Sequence, residues 1–181
     1  CIRDRLITLS DSERQHAGNE GYDDDLTRRY VWDSTVPNHS RLRRHDVVLL
    51  RNRSTPLGVA RIQTIETDPR ASKLRFRCPS CDTTNLKSRD TVAPRFRCGR
   101  CKHEFEEPLS ETLDVTRYVA HLMQFTPFRR VPPLHRVRMC LVREKSQHAM
   151  SEAHAARLFE LLEETDTHFP RAGGAPVEPG M

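Results

Sequence analysis

Two C-x-x-C pairs, Cys78/Cys81 and Cys98/Cys101, stand sixteen residues apart and hold four of the six cysteines in a chain of 181 residues. Each pair puts two thiols on one tight turn. Two such turns can converge on a single tetrahedral ion with metal–sulfur distances of about 2.3 Å. The spacer has the length found between the halves of structural zinc sites. Turn-forming residues fill both pairs, Pro79 and Ser80 in the first, Gly99 and Arg100 in the second. Short strand-like runs precede them, LRFR at 74–77 and RFR at 95–97. The expected unit is a four-cysteine zinc ribbon over residues 78–106, two knuckles on two hairpins. A segment of about thirty residues buries too little apolar surface to fold unaided, so metal binding is expected to supply its folding energy.

Other uses of the cysteines fit less well. A disulfide framework needs an oxidising compartment, and no charged segment followed by an apolar one marks a secretory leader. No apolar run approaches the roughly 20 residues that span a bilayer. A cytoplasmic protein with no membrane partner is expected. A redox C-x-x-C would stand alone in a βαβ setting. A catalytic zinc keeps one position open, whereas four cysteines close it. The Zn²⁺ is therefore expected to be structural, His103 to be exposed, and Cys140 to be a buried apolar residue. The sequence lacks an H-N-H arrangement, an H-E-x-x-H motif, a PD-(D/E)xK pair and a phosphate loop, and its nine histidines are scattered. No catalytic residue is expected in this chain.

Charge is unevenly distributed along a polar chain of mean hydropathy −0.70 and net charge +5. Residues 26–103 carry 18 Lys/Arg against 6 Asp/Glu, a local net of +12. Residues 1–25 carry 3 against 7, and residues 104–181 carry 9 against 12. A basic middle between acidic flanks suits a polyanion-facing surface. The candidate DNA-backbone contacts are Arg41, Arg43 and Arg44, then Arg51 and Arg53. Around the ribbon stand Arg75, Arg77, Lys87, Arg89, Arg95, Arg97, Arg100 and Lys102. The alternative is that these side chains only solubilise the chain, in which 26 of the 30 basic residues are Arg.

The flanks read as a strand-rich frame. The runs at 47–50 (VVLL) and 57–65 (LGVARIQTI) with the turn-rich 51–56 between them predict a hairpin. Residues 113–125 fit a strand or an edge helix, and alternation over 135–142 predicts a strand. A helix is expected over 151–164, with Ser151 as N-cap and Ala155, Leu158, Phe159 and Leu162 on one face. Residues 169–181 are Pro/Gly-rich and linker-like. With Cys1 in place of an initiator Met, the chain is expected to be a segment of a longer protein. The domain reading is a frame over 1–77, the ribbon over 78–106, the rest of the frame with its C-terminal helix over 107–168, and a tail over 169–181. Residues 1–25 are polar and acidic and carry no expectation beyond a short helix.

Residues 30–65 (YVWDSTVPNHSRLRRHDVVLLRNRSTPLGVARIQTI) resemble the PUA-like superfamily, in particular its EVE, YTH and SRA branch. Tyr30-x-Trp32 with Pro37 resembles the opening strand of EVE-type domains. Leu42-x-x-x-Asp46-Val47-Val48-Leu49 resembles their L-x-x-G-D-x-V turn, with His45 where that turn usually has Gly. Leu57-Gly58-Val59-Ala60 resembles the return strand. The resemblance implies an α+β fold, a PUA/SRA-like small curved sheet or partial barrel with flanking helices and the ribbon inserted. With the linker-like tail, the layout looks like the reading module of bacterial McrA-like HNH modification-dependent (type IV) restriction endonucleases.

What that resemblance implies is recognition of a modified base in double-stranded DNA, 5-methylcytosine or 5-hydroxymethylcytosine, by base flipping, with the nuclease on a separate fused domain. The implied pocket is Tyr30, Trp32, Asp33, Ser34, Asn38 and His39. In a strand Tyr30 and Trp32 share a face, and a carboxylate such as Asp33 accepts from cytosine N4. Trp32 equally fits a core position, and Asp33, Ser34 and Asn38 equally fit turns. An RNA-binding PUA-like module, a sequence-nonspecific zinc-ribbon DNA-binding domain and a protein-interaction ribbon are the competing functions.

Overall fold

The apolar run at 47–50 lies in a strand whose side chains alternate between two cores. Val47 and Leu49 enter one, Val48 and Leu50 the other, as the two-residue period of a strand requires. A strand covered on both faces is apolar throughout. The computed structural model of the chain describes residues 5–8, 22–25, 27–52, 54–146 and 148–170. Arg53 and most of the tail, residues 171–181, lie outside these.

The strands are β1 (Arg5–Thr8), β2 (Arg29–Asp33), β3 (Val47–Arg51), β4 (Pro56–Arg77), β5 (Leu86–Ser88), β6 (Phe96–Cys98), β7 (Glu104–Phe105), β8 (Leu109–Pro127) and β9 (Met150–Glu152). The helices are α1 (Leu134–Met139) and α2 (Ala155–Glu164). Six strands form a sheet in the order β2-β8-β4-β3-β1-β9, antiparallel except for the β1/β3 pair. The fold is α+β, mostly antiparallel sheet with few helices.

The β3/β4 hairpin forms where the sequence predicts it. Asn52 Oδ1 accepts from Ser54 N at 3.0 Å and Thr55 N at 2.7 Å, which tightens the turn. Residues 113–125, open between strand and helix, belong to β8. Gly58 is required where β4 meets β8, since a Cβ there would lie 2.3 Å from Thr126 O.

Two expectations are corrected. Residues 135–142 are not a strand; residues 134–139 form α1. Val137, Cys140 and Leu141 are the buried positions, an i, i+3, i+4 spacing that also reads as loose alternation. The helix of 151–164 begins only at Ala155, and Ser151 does not cap it. Residues 150–152 pair with β1 instead (Leu6↔Ser151), so their backbone groups are spent on a ladder. Leu158 and Leu162 are buried as expected and Phe159 packs beside them, while Leu161 takes the place expected of Ala155.

One sheet face packs Val47, Leu49 and Val59 against α1 and α2. The other packs Val48, Leu50, Ala60 and Ile62 against Tyr30, Trp32, Leu42 and Met150. Trp32 and Met150 come from the two opposite edge strands, so the sheet curls its edges towards each other. Asn38 Nδ2 donates to Met150 O at 3.0 Å across this seam. No ladder joins β2 to β9, and the sheet is not a closed barrel.

β4 and β8 are longer than the sheet they belong to. β2 follows β8 only as far as Asp33↔Arg117, and β3 follows β4 only as far as Arg61. Seven further pairs, Ala71↔Val115 to Arg77↔Leu109, stand as a two-stranded arm. At about 3.4 Å per residue the arm is roughly 24 Å long. Its ladder shifts register between Asp68 and Ala71, at Pro69, which has no N–H to give. The three-stranded sheet β5-β6-β7 lies at the far end of the arm.

Candidate metal centre and nucleic-acid interface

The four cysteines meet at the arm's end. Their Sγ atoms all lie within 4.8 Å of one another, with Cys78–Cys101 at 3.7 Å and Cys81–Cys98 at 3.6 Å. A tetrahedral ion with sulfur at about 2.3 Å requires sulfur–sulfur edges of about 3.8 Å. The separations are far too long for disulfides, whose sulfurs sit about 2.05 Å apart. Both knuckles are built alike. Cys78 N donates to Thr83 O at 2.9 Å and Asp82 N to Cys78 O at 2.9 Å; Cys98 N donates to His103 O at 2.8 Å and Lys102 N to Cys98 O at 3.2 Å. Asp82 and Lys102 hold matching positive φ angles of 60° and 65°.

The turns aim N–H groups at sulfur. Ser80 N lies 3.4 Å from Cys78 Sγ, Arg100 N 3.3 Å and Cys101 N 3.4 Å from Cys98 Sγ. Burial opposes the thiolate of Cys98, yet the Cys101 and Arg100 amides and the neighbouring thiols hold it below the ordinary thiol value, while Cys81, sharing hydrogens with the other three sulfurs, goes up. Deprotonated sulfur is the ligating form. Leu86, Phe96, Phe105 and Phe76 pack around the sulfurs. These residues fit a metal ion. His103 is exposed against Phe105, and Cys140 is buried in the helical core.

The basic residues divide into engaged and open sets. Arg75 and Arg77 both grip Glu111 across the arm, and Arg77 reaches Asp82 at 2.6 Å. They tie the first knuckle to the arm. Arg89 is held by Glu104 at 2.9 Å and by Pro94 O, while Arg97 lies 3.7 Å from Glu104. Arg95 covers Phe96, and Lys102 Nζ donates to Gly99 O at 2.7 Å. Lys87 sits opposite Arg97 in the register and is exposed, as is Arg100. On the body, Arg41 approaches Glu152 at 3.7 Å, Arg43 Nη1 donates to Ser40 O at 2.7 Å, Arg51 Nε donates to Asn52 O at 3.0 Å, and Arg44 is exposed.

The pocket candidates separate in the same way. Tyr30 and Trp32 do share a face and stack at 5.3 Å, but inside the core, 3% and 1% exposed. Neither ring is open to a base, which corrects the stacking role expected of them. Trp32 Nε1 donates to His39 O at 3.0 Å. Tyr118 on β8 stands opposite Trp32 and stacks on it at 5.2 Å, with His39 5.9 Å beyond Tyr118. The result is a column of four rings whose last two are half-buried. Tyr118 was not visible as a site residue because the sequence left its segment undecided between strand and helix.

Asp33 is buried and its carboxylate is spent. Tyr22 Oη donates to it at 2.7 Å, Lys73 Nζ at 2.9 Å, and Thr35 N at 2.8 Å, with Thr35 Oγ1 as a further donor. Burial works against the charge, but these donors hold the carboxyl below the usual carboxylate range. Burial and Asp33 push the Tyr22 hydroxyl well above its ordinary value. The network sits where the arm leaves the body. Asp33 is therefore a structural anchor, and its expected contact with a cytosine edge is corrected. Ser34 Oγ accepts from Thr116 N at 3.1 Å, and Ser34 N donates to Thr116 O at 2.9 Å.

Asn38 and His39 remain at the surface of the seam, both half-buried. Asn38 has a φ of 67°, in the region that Asn tolerates. His39 Nδ1 lies 3.2 Å from Val36 O. A carbonyl only accepts, so Nδ1 carries the hydrogen and the neutral ring leaves Nε2 as an acceptor. Asp46 caps the turn before β3, accepting from Arg43 N at 2.9 Å. His45, at the position where the resemblance has glycine, adopts a φ of 71°.

No family model matches this chain, and no curated protein or solved structure is significantly similar to it.

Proposed function

We propose that this chain is a non-catalytic PUA-like module that reads a modified base, 5-methylcytosine or 5-hydroxymethylcytosine, in double-stranded DNA. In the full-length protein it delivers an attached HNH endonuclease to that base. The observation that carries the reading is the seam. There Asn38 Oδ1 and His39 Nε2 make no hydrogen bond among the described residues, beside the half-buried ring of Tyr118. A flipped base needs an aromatic face and polar groups for its edge. His39, the outer ring of the column, supplies the face in place of Tyr30 and Trp32, and Tyr118 backs it. Asn38 Oδ1 accepts from the cytosine 4-amino group, the role Asp33 cannot fill.

The ion is Zn²⁺, since a closed set of four thiolates is its usual structural donor set. Its part is to hold the arm's end folded. The test is fluorescence anisotropy at two salt concentrations with matched duplexes carrying cytosine, 5-methylcytosine or 5-hydroxymethylcytosine. The expected result is a preference of tenfold or more, about 1.4 kcal/mol, that Tyr118→Ala and His39→Ala abolish. Equal binding to all three duplexes sinks the modified-base reading.

A further inference from the structure

We propose that residues 142–146 form a second phosphate-contacting element, and that Arg143 and Lys145 join Arg43 and Arg44 in one rim on duplex DNA. This rests on the nucleic-acid reading above and extends it to a segment outside the basic middle of the sequence. Curling of the sheet brings the segment there. Val142 N donates to Glu152 O at 2.9 Å, and Arg41 reaches the carboxylate of the same Glu152 at 3.7 Å. Ser146 Oγ and Ser151 Oγ lie 2.9 Å apart, while Asn38 binds the carbonyl of Met150 in the same strand. The 38–44 turn and the 142–146 segment are thus both fastened to β9, about a hundred residues apart in sequence.

The rim's charge has no internal answer. Glu152 faces Arg41, and Glu144 lies 3.7 Å from Arg157. Asp46 is engaged by the backbone N–H of Arg43, and among the described residues the side chains of Arg43, Arg44, Arg143 and Lys145 form no salt bridge and are all exposed. Gathering like charges is unfavourable and raises the local positive potential, which a polyanion relieves. Arg43 is pre-positioned as well, since its Nη1 is held by Ser40 O and Leu42 O at 2.7 and 3.2 Å.

The experiment is a salt titration of the whole chain on a 5-methylcytosine duplex and its unmodified match. It compares the parent, Arg143→Ala/Lys145→Ala, and Arg130→Ala as a control beside the end of α2. Each phosphate contact adds about 0.9 to the slope of log K against log salt. The double variant is expected to flatten the slope by about 1.8 and to weaken both duplexes by the same factor; the control leaves the slope unchanged. An unchanged slope in the double variant, with intact binding by the parent, overturns the rim. A flattened slope without preference for the methylated duplex keeps the rim and removes the modified-base reading. Loss confined to single-stranded RNA, with no duplex binding by the parent, overturns both.

Discussion

Replacing Lys73 with Met tests whether the Asp33 network anchors the arm. The side chain keeps its length and loses its charge, leaving a carboxylate that is 3% exposed without its cation. Removing one partner of a buried pair costs about 3–5 kcal/mol. Tyr22 and Thr35 still donate to Asp33, and Lys73 itself is 24% exposed. The cost therefore falls to or below the bottom of that range, at about 2–3 kcal/mol. Trp32 is the sole tryptophan and is buried in the same core, so its fluorescence reports unfolding directly. With a urea dependence of about 2 kcal/mol per molar, the midpoint falls by about 1–1.5 M.

The pH dependence carries a sign. The folded Asp33 carboxyl lies below its usual range, so its contribution is present above the unfolded value of about 3.9 and is lost as pH falls through the folded one. The gap between parent and variant is therefore largest near neutrality and closes in acid. A midpoint unchanged at pH 7, or a gap that widens at pH 3, refutes the anchor.

Chelation is expected to release one metal ion per chain and to unfold the arm's end, leaving Trp32 emission unchanged because that ring sits in the body; Cys98→Ser should prevent loading, as read by metal release on thiol modification. His45→Gly should stabilise by about 0.5–1 kcal/mol in urea unfolding, since relief at the positive φ outweighs the added freedom of the unfolded chain. Gly58→Ala should cost about 1–3 kcal/mol by the same assay, because the new methyl meets the backbone of Thr126 and Pro127.

The cysteine spacing was legible because ligand geometry is local: each knuckle closes within six residues. The β3/β4 hairpin was legible for the same reason, a short turn between two apolar runs. What stayed hidden depends on distant partners. Residues 150–152 are a strand only because β1 lies beside them, and a helix pattern starting at Ser151 carries no trace of that. Trp32 and Asp33 stand out in the sequence as chemistry-bearing residues, but their burial is set by Tyr118, Lys73 and Met150, which come from three other strands. Arg143 and Lys145 are hidden by averaging, since the acidic residues around 104–114 and 160–166 cancel them in a count over residues 104–181.

The register shift at Pro69 has a consequence for assembly. Beyond the body, β4 and β8 each present a bare edge, and bare edges recruit strands from other molecules. Pro69 withholds a donor at the base of the arm, and Glu66, Asp68 and Arg70 around it are exposed and charged. An incoming strand meets a gap in the ladder and must bury three charges before it reaches the next pair. The arm can thus stand clear of the body in a crowded solution without zipping onto its neighbours. Substituting Pro69 by a β-branched residue would restore the missing donor and leave the two edges open to strand addition from their base onward.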